Sequence, residues 1–188
     1  MHTHTPPVFI EALKVARADG FIATNVKLVR VFENGLSHNT ALFYSTEKEF
    51  VLKSFKGRDQ LSRQAIQAQV ITSRYELSPK VFYSNIEKGI LVCEFINIPA
   101  LGQVPNTERS NSQLLRVADS LSTLHNLEVS ADREALGHFD IVGFCSLYVD
   151  TASDAIKRQH ELLLPSIIEF QKSTTRVFCH NDLVADNI

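Results

Sequence analysis

The chain has 188 residues, 44% of them hydrophobic, and a formal net charge of −2. That size suits one large domain or two small lobes with a buried core, and the composition is that of a globular chain, not a disordered one. The balanced charge provides no basic field for nucleic acid or an anionic membrane, and no apolar run reaches membrane-spanning length.

The opening Met1-His2-Thr3-His4-Thr5-Pro6-Pro7 lacks the basic and apolar segments of a signal peptide. Cys93, Cys145 and Cys179 lie far apart in apolar settings with no Cys-x-x-Cys pair, which reads as buried thiols in a reducing compartment and argues against zinc. The expected location is the cytoplasm. Val8 to Ala18 places Phe9, Leu13 and Ala16 on one helical face, and Gly20 follows as a stop. Val26–Phe32 is strand-like. Asn34 to Thr40 is a small polar loop, readable as an ordinary Asn-Gly hairpin turn, and Ala41–Tyr44 is a second strand.

Glu49–Phe55 forms the third strand, with Lys53 on the face opposite Leu52; a solvated lysine on a half-exposed strand is the bland alternative. Leu61 to Leu77 reads as a helix with a stripe of Leu61, Ala65, Ala68, Ile71 or Thr72, and Tyr75. Ser78–Tyr83 and Gly89–Ile96 are two further strands. Asn97 to Asn111, with Pro99, Gly102 and Pro105, is a boundary by composition. Ser112 is positioned to cap a helix with Leu114 or Leu115, Ala118, Leu121 and Leu124 inward, and His125 reads as a packed structural histidine. Beyond an irregular stretch from Asp132 to Val149, Ser153–Leu164 is a helix with Ile156, Gln159-His160 and Leu163 inward. Pro165 then opens a separate short helix through Lys172.

The most informative stretch is Val177-Phe-Cys-His180-Asn-Asp182-Leu-Val-Ala-Asp-Asn187-Ile188. An apolar run delivers an aspartate and, five positions later, an asparagine. This pattern suits phosphoryl transfer, in which a carboxylate accepts the proton of an attacking hydroxyl and an amide oxygen helps hold Mg²⁺. A strand running into an Asx-rich turn is the non-catalytic alternative.

His-Asn-Asp-Leu-x-x-x-Asn resembles the catalytic loop of the choline/ethanolamine kinase and aminoglycoside phosphotransferase superfamily, and Gly35-Leu36-Ser37 with Asn39 resembles the phosphate loop of its choline and thiamine kinase branch. The resemblance covers roughly residues 25 to 188. It implies an α+β, two-lobed protein-kinase-like fold: an N-terminal antiparallel sheet of about five strands with one helix over 1–96, then a hinge and an incomplete, mainly helical C-terminal lobe over 97–188. It further implies ATP and Mg²⁺ as cofactors and a small-molecule hydroxyl substrate of the choline, ethanolamine, thiamine or aminoglycoside class. Asp182 is then the catalytic base, His180 braces its loop, and Asn187 is a metal ligand. Lys53, Gly35, Ser37 and Asn39 face nucleotide phosphates, and the main chain of Glu94, Phe95 and Ile96 meets an adenine edge. Val184, where protein kinases carry a basic residue, favours a small acceptor.

Two departures stand out. Helix 61–77 has no glutamate ahead of Glu76 to pair with Lys53; Gln64 and Gln67 are the nearest substitutes, and an amide brings no counter-charge. The sequence also stops before a second metal-binding aspartate, which reads as a fragment of a longer kinase or, as the alternative function, a catalytically impaired nucleotide-binding or interaction module.

Overall fold

The computed structural model describes residues 5–22, 25–32, 38–45, 48–56, 59–99, 103–128 and 151–174, with five isolated positions between 136 and 149. The described residues fall into two compact units, one running to Leu124 and the other beginning at His125.

The first unit is built on a five-stranded antiparallel sheet: β1 Val26–Phe32, β2 His38–Ser45, β3 Lys48–Phe55, β4 Val81–Asn85 and β5 Ile90–Glu94, in the order β1-β2-β3-β5-β4. The expectation of an α+β fold with a sheet of about five strands holds. The central strands are β-branched and aromatic, and alternation divides their residues between two faces.

One face is closed by α1 (Pro7–Ala18), which presents Phe9, Ala12, Leu13 and Ala16 to Ala41, Phe43, Phe50, Leu52, Ile90 and Val92. Phe43 stacks on Phe50 and meets Phe9 edge-on, both at 5.9 Å between ring centroids. α1 ends in a Schellman motif: Phe21 N–H donates to Ala16 and Gly20 N–H to Arg17, with Gly20 at φ +75° as this turn requires. Beyond it Phe21 stacks on Tyr83, whose hydroxyl donates to Asp19 Oδ2, tying the helix end to β4. This hydrogen bond and a second from Asn85 hold the Asp19 carboxyl below its ordinary range.

The two outer strands each carry a bulge, one between Leu28 and Arg30 and one between Val81 and Tyr83. One extra residue inverts the alternation. Val26 and Leu28 therefore pack on the α1 face whereas Phe32 packs on the other, and Val81 and Tyr83 divide in the same way. Arg30, brought to the same side as Phe32, lies 4.2 Å from its ring centroid.

α2 (Gln60–Arg74) starts at Asp59, whose Oδ1 accepts from Ser62 N–H at 2.9 Å, a normal N-cap. Its buried residues are Ile66, Ile71 and Thr72, with Ser62, Gln69 and Ser73 half-buried, whereas Leu61, Ala65 and Tyr75 are exposed. Of the expected stripe Ile71 and Thr72 are buried and Ala68 is half-buried, but Ile66 and polar neighbours take the inward positions expected of Leu61 and Ala65. Hydrogen bonds use that polarity: Ser73 Oγ accepts from Val81 N–H at 2.8 Å, and Thr72 donates to Ser78 Oγ at 2.9 Å. The helix closes on another Schellman motif, Leu77 N–H to Thr72 O and Glu76 N–H to Ser73 O, with Glu76 at φ +58° where glycine is usual.

α3 (Asn111–His125) is capped two residues earlier than expected, by Ser110: its Oγ accepts from Gln113 N–H while its own N–H donates to Gln113 Oε1 at 2.8 Å. Leu124 is buried, with Val117 and Leu121 half-buried; Leu114, Leu115 and His125 are exposed, so His125 is not the packed histidine expected.

In the second unit, α4 (Asp154–Ser173) is one helix and not two, with Pro165 inside it. The missing N–H leaves Glu161 C=O without its usual helical donor, a cost that twenty continuous helical residues overcome. Lys157, His160, Leu164, Ile167, Ile168 and Gln171 are its less exposed side, one residue beyond the expected phase. No helix of the described residues is long and apolar enough to cross a membrane.

Candidate functional site

Lys53 is placed by strand alternation. Its cross-strand partners are Thr40 on β2 and Leu91 on β5, so it projects from the face away from α1, while Leu52 and Ser54 are buried on the α1 side. Two residues earlier on the same face stands Val51, which with Leu42 and Cys93 forms a small buried apolar cluster edged by Phe32, Val81 and Phe95. A cation therefore sits beside a small apolar cluster built from three strands. An aromatic base with a phosphate tail has this division of chemistry.

The lysine is held from α2. Lys53 Nζ donates to Gln69 Oε1 at 3.0 Å. The partner is Gln69, and not Gln64 or Gln67. The Cys93 thiol lies on the same face, opposite Val51. Burial pushes that thiol above its ordinary value, while the Lys53 charge and the Gln69 amide pull against the rise. Cys93 is a buried free cysteine, as expected; Cys145 and Cys179 lie outside the described residues.

At the loop end of β2 the structure differs from the expected hairpin. The strand begins at His38, so His38, Asn39 and Thr40 are paired residues, with Asn39 opposite Ser54 and Thr40 opposite Lys53. Asn39 is consequently on the α1 side, and it is His38 and Thr40 that share the face of Lys53. Sequence reasoning passed over His38. Its ring lies 5.0 Å from that of Phe55, and burial, reinforced by the charges of Lys53 and Lys56, lowers its pKa to about 4. A hydrophobic strand continuing into a polar loop gives no signal of where pairing starts, and the pairing with β3 decides it.

At the far end of the cluster, β5 stops at Glu94, and Phe95 and Ile96 continue as irregular chain. Glu94 N–H donates to Lys80 O at 2.8 Å, and Lys80 N–H to Glu94 Oε2. Phe95 packs its ring on the apolar cluster. Of the sequence-predicted residues, Lys53 and Phe95 thus border one surface, with Glu94 and Ile96 flanking Phe95 along the chain. Gly35, Ser37, His180, Asp182 and Asn187 lie outside the described residues.

Comparison with solved structures places the fold. An ethanolamine kinase from Plasmodium vivax matches over 95% of this chain and 57% of its own, with TM-score 0.61 and 12% identity. A choline kinase from Streptococcus pneumoniae matches over 95% of this chain and 63% of its own, with TM-score 0.60 and 19% identity. The fold is that of the choline kinase and aminoglycoside phosphotransferase group. A macrolide 2′-phosphotransferase type I shares it, with TM-score 0.54 and 16% identity over 98% of this chain and 67% of its own. This chain spans 57% of the length of the ethanolamine kinase. No protein-family model and no curated protein matches the sequence.

Proposed function

We propose that this chain is part of an ATP-dependent phosphotransferase that phosphorylates a hydroxyl of a small molecule, choline- or ethanolamine-kinase-like, with a nucleotide-binding lobe over 1–96 and the hinge and helical lobe over 97–188. The observation that carries the reading is Lys53, fixed from α2 beside an apolar surface of Leu42, Val51 and Cys93 in a sheet of this fold. Adenine suits that surface, with the chain from Glu94 to Ile96 along its edge, and the phosphates suit Lys53 and the loop through Gly35 and Ser37, with Asn39 adjoining. Asp182 accepts the proton of the attacking hydroxyl, His180 braces the loop, and Asn187 helps hold Mg²⁺, which would screen the charge that builds on the transferred phosphoryl group.

The test is ATP turnover with choline, ethanolamine, thiamine and aminoglycosides as acceptors, using the full-length gene product. Asp182→Asn should lower kcat at least a hundredfold; unchanged turnover would remove Asp182 from its role. A second reading is favoured by Gln69, which supplies no carboxylate where an ion pair with Lys53 is usual: a nucleotide-binding module without catalysis. Thermal stabilisation by ATP that needs no Mg²⁺, with no turnover on any acceptor, would select it.

A further inference from the structure

Residues 86–89 form the tight turn between β4 and β5, and its backbone is fixed from within and from β3. Gly89 N–H donates to Ile86 O at 3.2 Å and Lys88 N–H to Asn85 Oδ1 at 3.0 Å, with Gly89 at φ +66°, which glycine adopts without strain. Gly89 O in turn accepts from Phe55 N–H at 2.9 Å. The turn is therefore mounted on the end of β3, the strand that carries Lys53. Glu87 stands on this turn. Its carboxylate takes both terminal nitrogens of Arg63 on α2, with Nη1 donating to Oε1 at 3.0 Å and Nη2 to Oε2 at 2.9 Å.

These contacts close a circuit. β3 reaches α2 through Lys53 and Gln69. From Gln69 the helix runs back about 9 Å to Arg63, at 1.5 Å per residue. Arg63 crosses to Glu87, and the turn returns to β3 at Phe55. The C-terminal end of α2 is tied separately, by Thr72 to Ser78 Oγ and by Val81 N–H to Ser73 Oγ. Gln69 lies between the two ties. Burial of Ile66 holds the helix against the sheet, but apolar packing has no direction and leaves rotation and sliding open. A planar guanidinium meeting a carboxylate along two parallel N–H bonds fixes both. The pair is exposed, so it adds little to global stability, and its effect is on geometry.

We propose that Arg63 and Glu87 are positioning residues, a strut that fixes the N-terminal half of α2 so that Gln69 keeps Lys53 pointing one way. The strut follows from the hydrogen bonds alone. Its consequence for a nucleotide rests on the phosphate-facing reading of Lys53 and deepens it, since a lysine held in direction loses less freedom when it binds phosphate. Removing the strut should leave the fold standing, free the Lys53 side chain and weaken ATP binding.

The experiment measures acylation of Lys53 in the full chain by peptide mass spectrometry, without ligand, against the exposed Lys27 on β1 as internal reference. Arg63→Gln and Glu87→Gln should each raise the Lys53 rate about threefold, leave Lys27 unchanged and keep the melting temperature within about 3 °C of wild type. The double variant should be no faster than either single one, and Arg63→Glu combined with Glu87→Arg should restore the wild-type rate. Unchanged Lys53 rates, additive effects in the double variant, no rescue by the reversed pair, or an equal rise at Lys27 overturns the proposal. Calorimetric titration of ATP tests the consequence: each single variant should bind about threefold weaker than wild type, and the reversed pair as wild type does. Unchanged affinity in both single variants overturns the claim that the strut positions Lys53 for a nucleotide. If wild type binds no ATP while the acylation pattern holds, the strut stands and the phosphate-facing reading of Lys53 fails.

Discussion

The two faces of one sheet have been given different tasks by nothing more than alternate residues. On the α1 side Ala41, Phe43, Phe50, Leu52, Ile90 and Val92 meet a helix and close into a continuous apolar core. On the other side the same strands supply Thr40, Leu42, Val51, Lys53, Leu91 and Cys93, where the apolar cluster is small and is bordered by a lysine and a glutamine. The closed face carries stability. The other face gives up part of that packing to present a cation, which is what a ligand requires and a core does not.

The division can be broken from either side. Truncating the closed face should have the largest effect: Phe43→Ala should cost about 3 to 5 kcal/mol in urea denaturation, against about 1 to 2 for Val51→Ala on the Lys53 face. Equal costs would mean that the two faces share one structural role. Lys53→Met should do the reverse, leaving the melting temperature within about 3 °C of wild type while weakening ATP binding at least tenfold, read by thermal shift at graded ATP.

His38 offers a test on the Lys53 face by pH. The unfolded imidazole titrates near 6.5 and the folded one at about 4. Between these values the unfolded chain binds more protons, so stability rises with pH across the window. The contribution is complete above about 6.5 and is lost as pH falls toward about 4. After allowance for solvent screening it should be about 1 to 2 kcal/mol. Urea melts at pH 4.5 and 7 should show the difference, and His38→Gln should reduce it. A smaller gain is available at the end of α2, where Glu76 holds a positive φ. Glu76→Gly should stabilise by about 0.5 to 1 kcal/mol, because glycine adopts that conformation without strain. The same change at a residue of negative φ would destabilise.

How much of this was legible follows from the physics of each element. The strands could be read because a face buried under a helix imposes strict alternation, and Lys53 opposite Leu52 follows from that alone. The helices were found, but the inward side of α2 was only partly placed and that of α4 was one residue out. In α2 buried Ile66, Ile71 and Thr72 are joined by half-buried Ser62, Gln69 and Ser73, and hydrogen bonds to β4, Ser78 and Lys53 supplement apolar burial. A search for hydrophobic period does not register the polar members of such a face, and Gln69, the partner of Lys53, is one of them. Pro165 misled for a different reason: a breaker was assumed to end a helix that continues on both sides of it. His38 escaped because where a strand starts is set by its partner across the sheet, which local composition does not encode.

The bulges of β1 and β4 bear on a hazard particular to sheets. These are the outermost strands, and an outermost strand offers unsatisfied N–H and C=O groups to any extended peptide that comes alongside. A docking strand needs those groups at regular intervals. At Val29 and at Phe82 the interval is interrupted and the backbone twists away, so the ladder cannot be prolonged from molecule to molecule. The irregularity that lets each border strand serve two cores is also a barrier to runaway polymerisation.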